Sequence, residues 1–289
     1  MTATIIDGRQ IAKELNEQTA VQTAALTQQG VIPGLAVIMV GDDPASAIYV
    51  RNKERRAAKL KFNSVVKRLP ETASQAEVIA LVERYNQDPE IHGILVQSPM
   101  PAQIDEAAVV LAIDPKKDVD GLHPTNLGRL FADIGDHYPV ACTPKGIMTM
   151  LHHEQVPLAG KQVVMIGRSR LVGKPMMALL NNANATVTLA HRYTDDLASL
   201  TQAADVVIVA VGQADLLTAA MVKPGATVID VGMNRREDGT LTGDAAADVE
   251  TVAGRLTPVP GGVGPMTIAT LMQQTVQLAA WQTGKQVTD

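Results

Sequence analysis

Cysteines, blocks of like charge and long apolar runs are scarce in this sequence. Its one cysteine, Cys142, cannot form a disulfide within the chain. The formal net charge is −5 and no block of five or six like charges occurs, which argues against a surface that tracks the phosphates of DNA or RNA. No apolar run reaches the roughly 18 residues of a membrane span, and the amino terminus lacks the layout of a signal peptide. The sequence therefore predicts a cytoplasmic protein without nucleic-acid or membrane partners.

Aliphatic side chains take the place of the missing aromatic ones. Apolar residues make up 46% of the 289 residues, whereas aromatic residues make up only 2%. Such a core is common where helices cover both faces of a parallel sheet. Short β-branched runs that alternate with helical patterns predict strands at Leu35–Val40, Ile91–Val96, Lys161–Ile166, Thr186–Leu189, Asp205–Val211 and Thr227–Val231. The alternation predicts an α/β fold with doubly wound parallel sheets.

Proline and glycine accumulate between residues 114 and 144, and this change of character predicts a domain junction. We expect an N-terminal α/β catalytic domain at 1–139 and a Rossmann-like, doubly wound nucleotide-binding domain at 140–264. The last helical stretch, about 265–289, is expected to return to the first domain. Two domains of ordinary size fit the length of the chain.

A strand, a tight turn and a helix follow one another around residues 161–182. Gly167 and Gly173 would let the backbone approach a pyrophosphate, and the start of the helix offers N–H groups to it. Only two of the three glycines of the usual dinucleotide fingerprint are present. A tight turn without a ligand therefore remains an alternative.

The end of the next strand favours NADP over NAD. An NAD-preferring site usually places a carboxylate there, but the chain reads AHRY at 190–193. Arg168 and Arg192 could bind a 2′-phosphate through charge-assisted hydrogen bonds. Two alternatives stay open, because arginines are often solvated surface charges and because Asp195 and Asp196 lie near enough in sequence to suit NAD.

A helix start in the first domain carries a candidate proton carrier. Asp43 suits the N-cap and Pro44 the first helical position. Tyr49 and Lys53 then share one helix face at i and i+4. Three neighbouring arginines disfavour the ammonium form of Lys53, which suits proton transfer near neutral pH. The alternative is an ordinary Tyr–Lys surface pair.

Three further segments carry polar or conformationally special residues. Gln97 stands at the carboxyl end of a predicted strand, where open α/β sheets place ligand contacts. Asp118 and Asp120 lie in a loop, where one carboxylate could bind a heterocycle with adjacent N–H donors. A strand end and an Asx turn would explain these residues equally well. The Pro- and Gly-rich loop 257–267 fixes a backbone path that suits close approach to a flat ligand.

In this order, the segments resemble the bifunctional methylenetetrahydrofolate dehydrogenase/methenyltetrahydrofolate cyclohydrolase family over essentially the whole chain. Single motifs are weak, but chance agreement of so many spaced motifs is implausible. The matching stretches are VGDDPASAIYVRNK at 40–53, ILVQSPMP at 94–101, DPKKDVDGLHPTNLGRL at 114–130, CTPKGI at 142–147, GRSRLVGKPM at 167–176, VIDVGMNR at 228–235 and TPVPGGVGPMT at 257–267.

The resemblance implies roles for individual residues, and no metal site is predicted. Lys53 would be the catalytic lysine, Gln97 would tune it, Tyr49 would order the folate ring and Asp120 would bind the pterin. The other residues implied to contact the folate are Ser46, Pro260, Gly261 and Gly262. Those implied to contact NADP are Gly167, Arg168, Ser169, Gly173, His191 and Arg192.

The resemblance also implies a reaction sequence and an assembly. 5,10-Methylenetetrahydrofolate would give a hydride to NADP, and water would open the resulting 5,10-methenyl cation to 10-formyltetrahydrofolate in the same active site. The family further implies a homodimer. The alternatives are a monofunctional dehydrogenase of the same fold, an NADP-binding protein without turnover, and an unrelated two-domain dehydrogenase of the shikimate or malate type. Intact Lys53, Gln97 and Asp120 argue against the first two.

Overall fold

The computed structural model describes residues 2–287, apart from the side chain of Ala45. Its strands, numbered in chain order, are β1 (Thr4–Ile5), β2 (Gly34–Val40), β3 (Asn63–Leu69), β4 (Gly93–Val96), β5 (Gln162–Ile166), β6 (Thr186–Ala190), β7 (Val206–Val209), β8 (Thr227–Asp230), β9 (Asn234–Arg235), β10 (Leu241–Thr242) and β11 (Arg255–Leu256). Its α-helices are α1 (Gly8–Gln28), α2 (Pro44–Lys59), α3 (Gln75–Gln87), α4 (Glu106–Ala112), α5 (Pro124–Ala132), α6 (Cys142–His153), α7 (Gly173–Asn182), α8 (Leu197–Ala203) and α9 (Val263–Thr283). Among these helices, none combines the length and apolar character needed to cross a membrane.

The chain forms two compact units, each built on one main sheet. The three-strand unit comprises Glu14–Cys142 and the residues from Ile268 onward. The six-strand unit comprises the residues up to Lys13 and Thr143–Thr267. The residues up to Lys13, which the sequence assigned to a first domain at 1–139, cluster with the six-strand unit. β1 pairs in parallel with β11 and so joins the six-strand sheet. A two-residue strand with so distant a partner leaves no periodicity in the sequence.

The three-strand unit has the strand order β3-β2-β4, with both pairs parallel. Every residue of the central strand β2 is buried, because its alternate side chains enter two different apolar clusters. One cluster contains Leu35, Val37 and Met39 with apolar residues of α9. The other contains Ala36, Ile38 and Val40 with residues of α3. The predicted return of the last helix to this unit is confirmed for the part of α9 that begins at Ile268.

The six-strand unit has the strand order β1-β11-β8-β7-β5-β6, and every neighbouring pair is parallel. β9 and β10 form a separate antiparallel pair. The predicted α/β fold with parallel sheets is confirmed. Because the strands run in one direction, their carboxyl ends meet at one edge of the sheet. Loops at this edge are the expected ligand contacts in open α/β sheets.

Candidate active site

The start of helix α2 is fixed by the two residues that the sequence singled out. Asp43 is the N-cap, and its Oδ2 accepts a hydrogen bond of 2.7 Å from the backbone N–H of Ser46. This hydrogen bond, together with one from the Ser46 side chain, lowers the pKa of Asp43. Pro44 occupies the first turn, where a missing N–H costs nothing. The predicted cap is confirmed, and it sets the helical phase of Tyr49 and Lys53.

Lys53 meets Gln97 across the three-strand unit. Its Nζ donates a hydrogen bond of 2.9 Å to Gln97 Oε1. Gln97 follows β4 directly, and its backbone N–H donates to the Ile38 carbonyl at 2.8 Å, which continues the sheet ladder. Its Nε2 donates to the Ser98 carbonyl at 2.6 Å. With Nε2 engaged in this way, the amide presents its oxygen to the lysine.

Asp120 lies within the electrostatic range of this pair. Burial raises the pKa of its carboxyl to about 6, while the charge of Lys53 opposes the rise and that of Asp118 adds to it. The carboxyl makes no hydrogen bond within the described residues. A desolvated carboxylate beside a lysine suits a ligand that brings its own N–H donors. The structure therefore joins Lys53 to Gln97 and brings Asp120 within the influence of the Lys53 charge.

Asp118, in the same loop as Asp120, is engaged by hydrogen bonds within the chain. The residue is 1% exposed, and its Oδ2 accepts from the His123 backbone N–H at 2.8 Å and from Asn126 Nδ2 at 2.9 Å. Burial raises the pKa of Asp118, and these hydrogen bonds oppose the rise. Asp118 therefore anchors the loop to the start of α5, and the binding of a ligand by Asp120 stays a prediction.

Glu106, on the first turn of α4, was missed by the sequence analysis. Its Oε2 accepts from Ser98 Oγ at 3.0 Å and its Oε1 from the Met100 backbone N–H at 2.9 Å. Ser46, which is buried, points its Oγ toward the Ser98 carbonyl at 3.4 Å. Glu106 thus fixes the turn on which the orientation of Gln97 depends. Only its place after the N-cap residue Asp105 marks it in the sequence, and many helices begin that way.

Tyr49 lies one turn before Lys53 on α2, and 38% of the residue is exposed. Its neighbour Ile48 is also exposed, at 57%. Exposed aromatic and aliphatic side chains on the turn that leads to Lys53 offer apolar surface to a flat ligand. The role of Tyr49 in ordering the substrate ring stays a prediction.

Two glycines shape the turn after β5 in the six-strand unit. Gly167 has φ +118, and a Cβ atom there would lie 2.4 Å from the Ala210 carbonyl oxygen. A Cβ atom at Gly173 would lie 2.0 Å from the Gly167 carbonyl oxygen. Ser169 Oγ accepts a hydrogen bond of 3.1 Å from the Val172 backbone N–H. The two glycines therefore let the turn pack tightly within the protein, and the N-cap residue of α7, Val172, makes no side-chain cap hydrogen bond. The N–H groups of such a helix start can bind a pyrophosphate.

Two arginines converge beside the end of β6. The guanidinium carbon of Arg192 lies 4.7 Å from the centroid of the Tyr193 ring, and that of Arg168 lies 5.7 Å from it. Arg192 Nη2 also donates to the Tyr193 hydroxyl at 2.7 Å. Asp196 is engaged as the N-cap of α8, where it accepts from Ser199. Two cations close to the strand end fit a 2′-phosphate.

The Pro- and Gly-rich loop belongs to the six-strand unit, whereas Lys53, Gln97 and Asp120 belong to the three-strand unit. Gly261 has φ +116, and a Cβ atom there would lie 3.1 Å from Arg9 Nε. Gly262 donates its backbone N–H to the Pro258 carbonyl at 2.8 Å. The predicted role of Pro260, Gly261 and Gly262 in bordering the folate stays a prediction from the sequence.

Two protein-family models match this chain. Residues 6–120 match the catalytic domain of tetrahydrofolate dehydrogenase/cyclohydrolase, and residues 141–283 match its NAD(P)-binding domain. The chain belongs to this family. The predicted family, fold and dehydrogenase/cyclohydrolase function are thereby confirmed. The prediction of a nicotinamide dinucleotide cofactor is confirmed as well.

Individual members of the family agree with this assignment. The bifunctional protein FolD of Levilactobacillus brevis is 62% identical over 96% of this chain and 97% of its own. The crystal structure of the bifunctional FolD of Campylobacter jejuni is 42% identical, with a TM-score of 0.95 over 97% of this chain and 99% of its own. The Trypanosoma brucei dehydrogenase-cyclohydrolase, solved with NADP and an inhibitor, is 36% identical, with a TM-score of 0.93 over 98% of this chain and 99% of its own.

Proposed function

We propose that this protein oxidises 5,10-methylenetetrahydrofolate to 5,10-methenyltetrahydrofolate with NADP and hydrolyses the product to 10-formyltetrahydrofolate. The three-strand unit holds the folate and the six-strand unit the dinucleotide. The hydrogen bond of 2.9 Å between Lys53 Nζ and Gln97 Oε1 is the observation that carries the proposal. Hydride loss from the methylene carbon releases no proton, whereas hydrolysis must move protons. An oriented lysine therefore favours a bifunctional enzyme over a dehydrogenase alone.

Lys53 carries the proton of the hydrolytic step. Water adds to the methenyl carbon and gives one proton to Lys53. The bond from that carbon to N5 then breaks as Lys53 returns the proton to N5, and the hydroxyl proton passes to solvent. The formyl group remains on N10, and one proton is released overall. Gln97 Oε1 holds the nitrogen throughout, because the ammonium and the amine both offer it an N–H.

Asp120 and Tyr49 orient the folate. Burial raises the pKa of Asp120 to about 6, which still lies below neutral pH. Its carboxylate is therefore ionised at neutral pH and can accept hydrogen bonds from adjacent N–H groups of the pterin. Tyr49 presents its ring from the turn before Lys53. Ser46 lies at the start of the same helix, so all three positions on α2 are fixed by one cap.

The six-strand unit provides the dinucleotide site. NADP, when bound, supplies the acceptor for the hydride that leaves the methylene carbon. Gly167 and Gly173 let the turn fold tightly, and the N–H groups at the start of α7 bind the pyrophosphate. Arg168 and Arg192 pair with the 2′-phosphate, which NAD lacks. The remaining proposed cofactor contacts are Ser169 and His191.

The decisive experiment follows two absorbances in one reaction. The protein is mixed with methylenetetrahydrofolate and either NADP or NAD, and both reduced cofactor and methenyltetrahydrofolate are recorded. A second reaction supplies methenyltetrahydrofolate without cofactor and compares its decay with that in buffer alone. We expect reduced cofactor with NADP in preference to NAD. We also expect the decay of the methenyl compound to be faster with protein than without it.

Each rival has its own outcome in this experiment. Reduced cofactor with an unaccelerated decay of the methenyl compound would indicate a monofunctional dehydrogenase. No turnover, together with measurable NADP binding, would indicate a binding protein. Reduction of NAD at a rate equal to or higher than that of NADP would contradict the proposed binding of the 2′-phosphate by Arg168 and Arg192.

The proposal includes a cytoplasmic homodimer. Light scattering coupled to size-exclusion chromatography measures the molar mass of the assembly, and twice the 30.6 kDa of one chain is the expected value. A molar mass equal to that of one chain at micromolar concentration would contradict the homodimer but not the proposed reactions.

A further inference from the structure

Two buried aspartates in the six-strand unit have no part in the chemistry above. Asp230 ends β8 and is 4% exposed, and Asp244 follows β10 and is 0% exposed. A buried carboxylate costs free energy unless hydrogen bonds replace its water. The hydrogen-bond donors to the two carboxylates therefore indicate which backbone segments the aspartates stabilise.

The Asp230 carboxylate binds the backbone at Asp244 and its neighbours. Its Oδ1 accepts from the backbone N–H groups of Asp244 and Gly232, both at 2.9 Å. Its Oδ2 accepts from the Ala245 backbone N–H at 2.8 Å. A Cβ atom at Gly243 would lie 1.8 Å from Asp230 Oδ2, so the segment lies directly against the carboxylate. Asp230 thereby fixes the position of Asp244.

Asp244 in turn collects three consecutive backbone N–H groups. Its Oδ2 accepts from Val211 at 2.7 Å and from Gly212 at 3.0 Å, and its Oδ1 accepts from Gln213 at 2.9 Å. Asn234 Nδ2 adds a fourth hydrogen bond, of 2.8 Å, to Oδ1. We call residues 211–213 the 211–213 loop. Its backbone path is fixed by three successive N–H groups that donate to one carboxylate.

The 211–213 loop lies beside the nucleotide turn. It follows β7, which is hydrogen-bonded to β5 in the sheet. A Cβ atom at Gly167 would lie 2.4 Å from the Ala210 carbonyl oxygen and 3.5 Å from Val211 Cγ1. The Val211 residue is itself 40% exposed. The loop thus presents apolar surface next to the glycine that the proposed function assigns to the pyrophosphate.

We propose that Asp244, held in place by Asp230, is a positioning residue that shapes the 211–213 loop into a wall of the NADP site. The inference rests on the proposed function, because that function assigns the dinucleotide to this edge of the sheet. Asp244 itself contacts the backbone of the loop and not the cofactor. Its substitution therefore acts on NADP binding through the order of the loop.

The test replaces the carboxylate with an amide of the same shape. In Asp244→Asn, the NH₂ group of the new side chain must face backbone N–H groups that now donate hydrogen bonds to the carboxylate. Two donors then meet where a donor and an acceptor met before. We expect hydrogen exchange at the amides of Val211, Gly212 and Gln213 to become at least tenfold faster without cofactor. We also expect the Kd for NADP, measured by calorimetry, to rise at least tenfold. In kinetics the KM for NADP should rise more than kcat falls.

A matched control removes a neighbouring carboxylate that does not hold the loop. Asp215 lies two residues beyond it and forms an exposed ion pair of 2.7 Å with Arg236. Asp215→Asn should change the Kd for NADP less than twofold. Circular dichroism shows whether Asp244→Asn folds. If it does not, Asn234→Ala removes a single donor from Asp244, and a two- to fivefold rise in Kd is expected.

The outcomes separate this inference from the proposed function. If the unchanged protein does not bind NADP, the proposed function fails. If it binds and Asp244→Asn binds equally well, only the inference is overturned. Faster exchange in the loop with an unchanged Kd also overturns it, because the loop would then be held by Asp244 without serving the cofactor. For an unfolded Asp244→Asn, an unchanged Kd in Asn234→Ala has the same meaning.

Discussion

In both units the candidate residues lie on segments that follow parallel strands, but the two candidate sites are built from different groups. In the three-strand unit, side chains converge, since Lys53 Nζ meets Gln97 Oε1 at 2.9 Å and Asp120 is desolvated nearby. In the six-strand unit, a tight glycine turn at the start of α7 and exposed arginine side chains form the candidate nucleotide site.

This difference follows from the chemistry assigned to each unit. Proton transfer needs a donor and an acceptor held in place before the reaction, which burial and hydrogen bonds provide. Phosphates carry their own charge, and N–H groups of a helix start with nearby cations are enough to hold them. Substitutions in the three-strand unit should therefore affect turnover, and those in the six-strand unit should affect affinity for the cofactor.

The largest effect is expected from Lys53→Met. Because the proton carrier is lost, hydrolysis of methenyltetrahydrofolate should fall by about 10³-fold, within the range of general acid–base catalysis. The Kd for NADP should stay within twofold, since its proposed site lies in the six-strand unit. Absorbance decay and calorimetry measure the two quantities.

Lys59→Met is the matched control for Lys53→Met, because it removes an exposed ammonium from the last turn of the same helix. It should leave hydrolysis unchanged. Full hydrolytic activity in Lys53→Met would refute the role of the lysine.

Acid should weaken folate binding through Asp120. Since its pKa is raised to about 6, the ionised fraction falls about tenfold for each pH unit below that value. The KM for the folate should therefore rise by about 50-fold between pH 6 and pH 4, and change little above about pH 7. Initial rates measured across this range, with stability checked at each pH, provide the profile.

Asp120→Asn tests the origin of that profile. The amide cannot titrate, so its KM should be high at every pH and lack the step near pH 6. A step that persists in this variant would assign the titration to another group.

A smaller effect is expected from Arg192→Ala. Removing one charge-assisted partner of the 2′-phosphate should raise the Kd for NADP about tenfold and leave that for NAD within twofold. Arg235→Ala, an exposed arginine of the same unit, is the control and should change neither. An equal loss of affinity for both cofactors would mean that Arg192 does not recognise the 2′-phosphate.

The smallest effect is expected from Asp43→Ala. The loss of an N-cap should lower the free energy of unfolding slightly, measured by urea denaturation. Asp43→Asn keeps an acceptor for the Ser46 N–H and should lose much less. Equal losses in both variants would deny the side chain its capping role.

Much of the fold could be predicted from local patterns, and the exceptions have physical causes. The six predicted strands are present, with ends shifted by one or two residues, because buried parallel strands read as apolar runs. β3 was missed because it is an edge strand that is nowhere fully buried and carries Lys67 and Arg68. β1 and β11 are two residues long, and their partners lie far away in the sequence.

The sequence by itself determined the groups present and the local elements that carry them. The cap at Asp43, the face shared by Tyr49 and Lys53, and the glycines of the nucleotide turn all depend on near neighbours. Only the tertiary structure decided how these groups act. Lys53 meets Gln97 across 44 residues of sequence, and Asp118 is held by hydrogen bonds from His123 and Asn126 at the start of α5. Hydrogen bonding and desolvation depend on distant segments, and no local pattern encodes them.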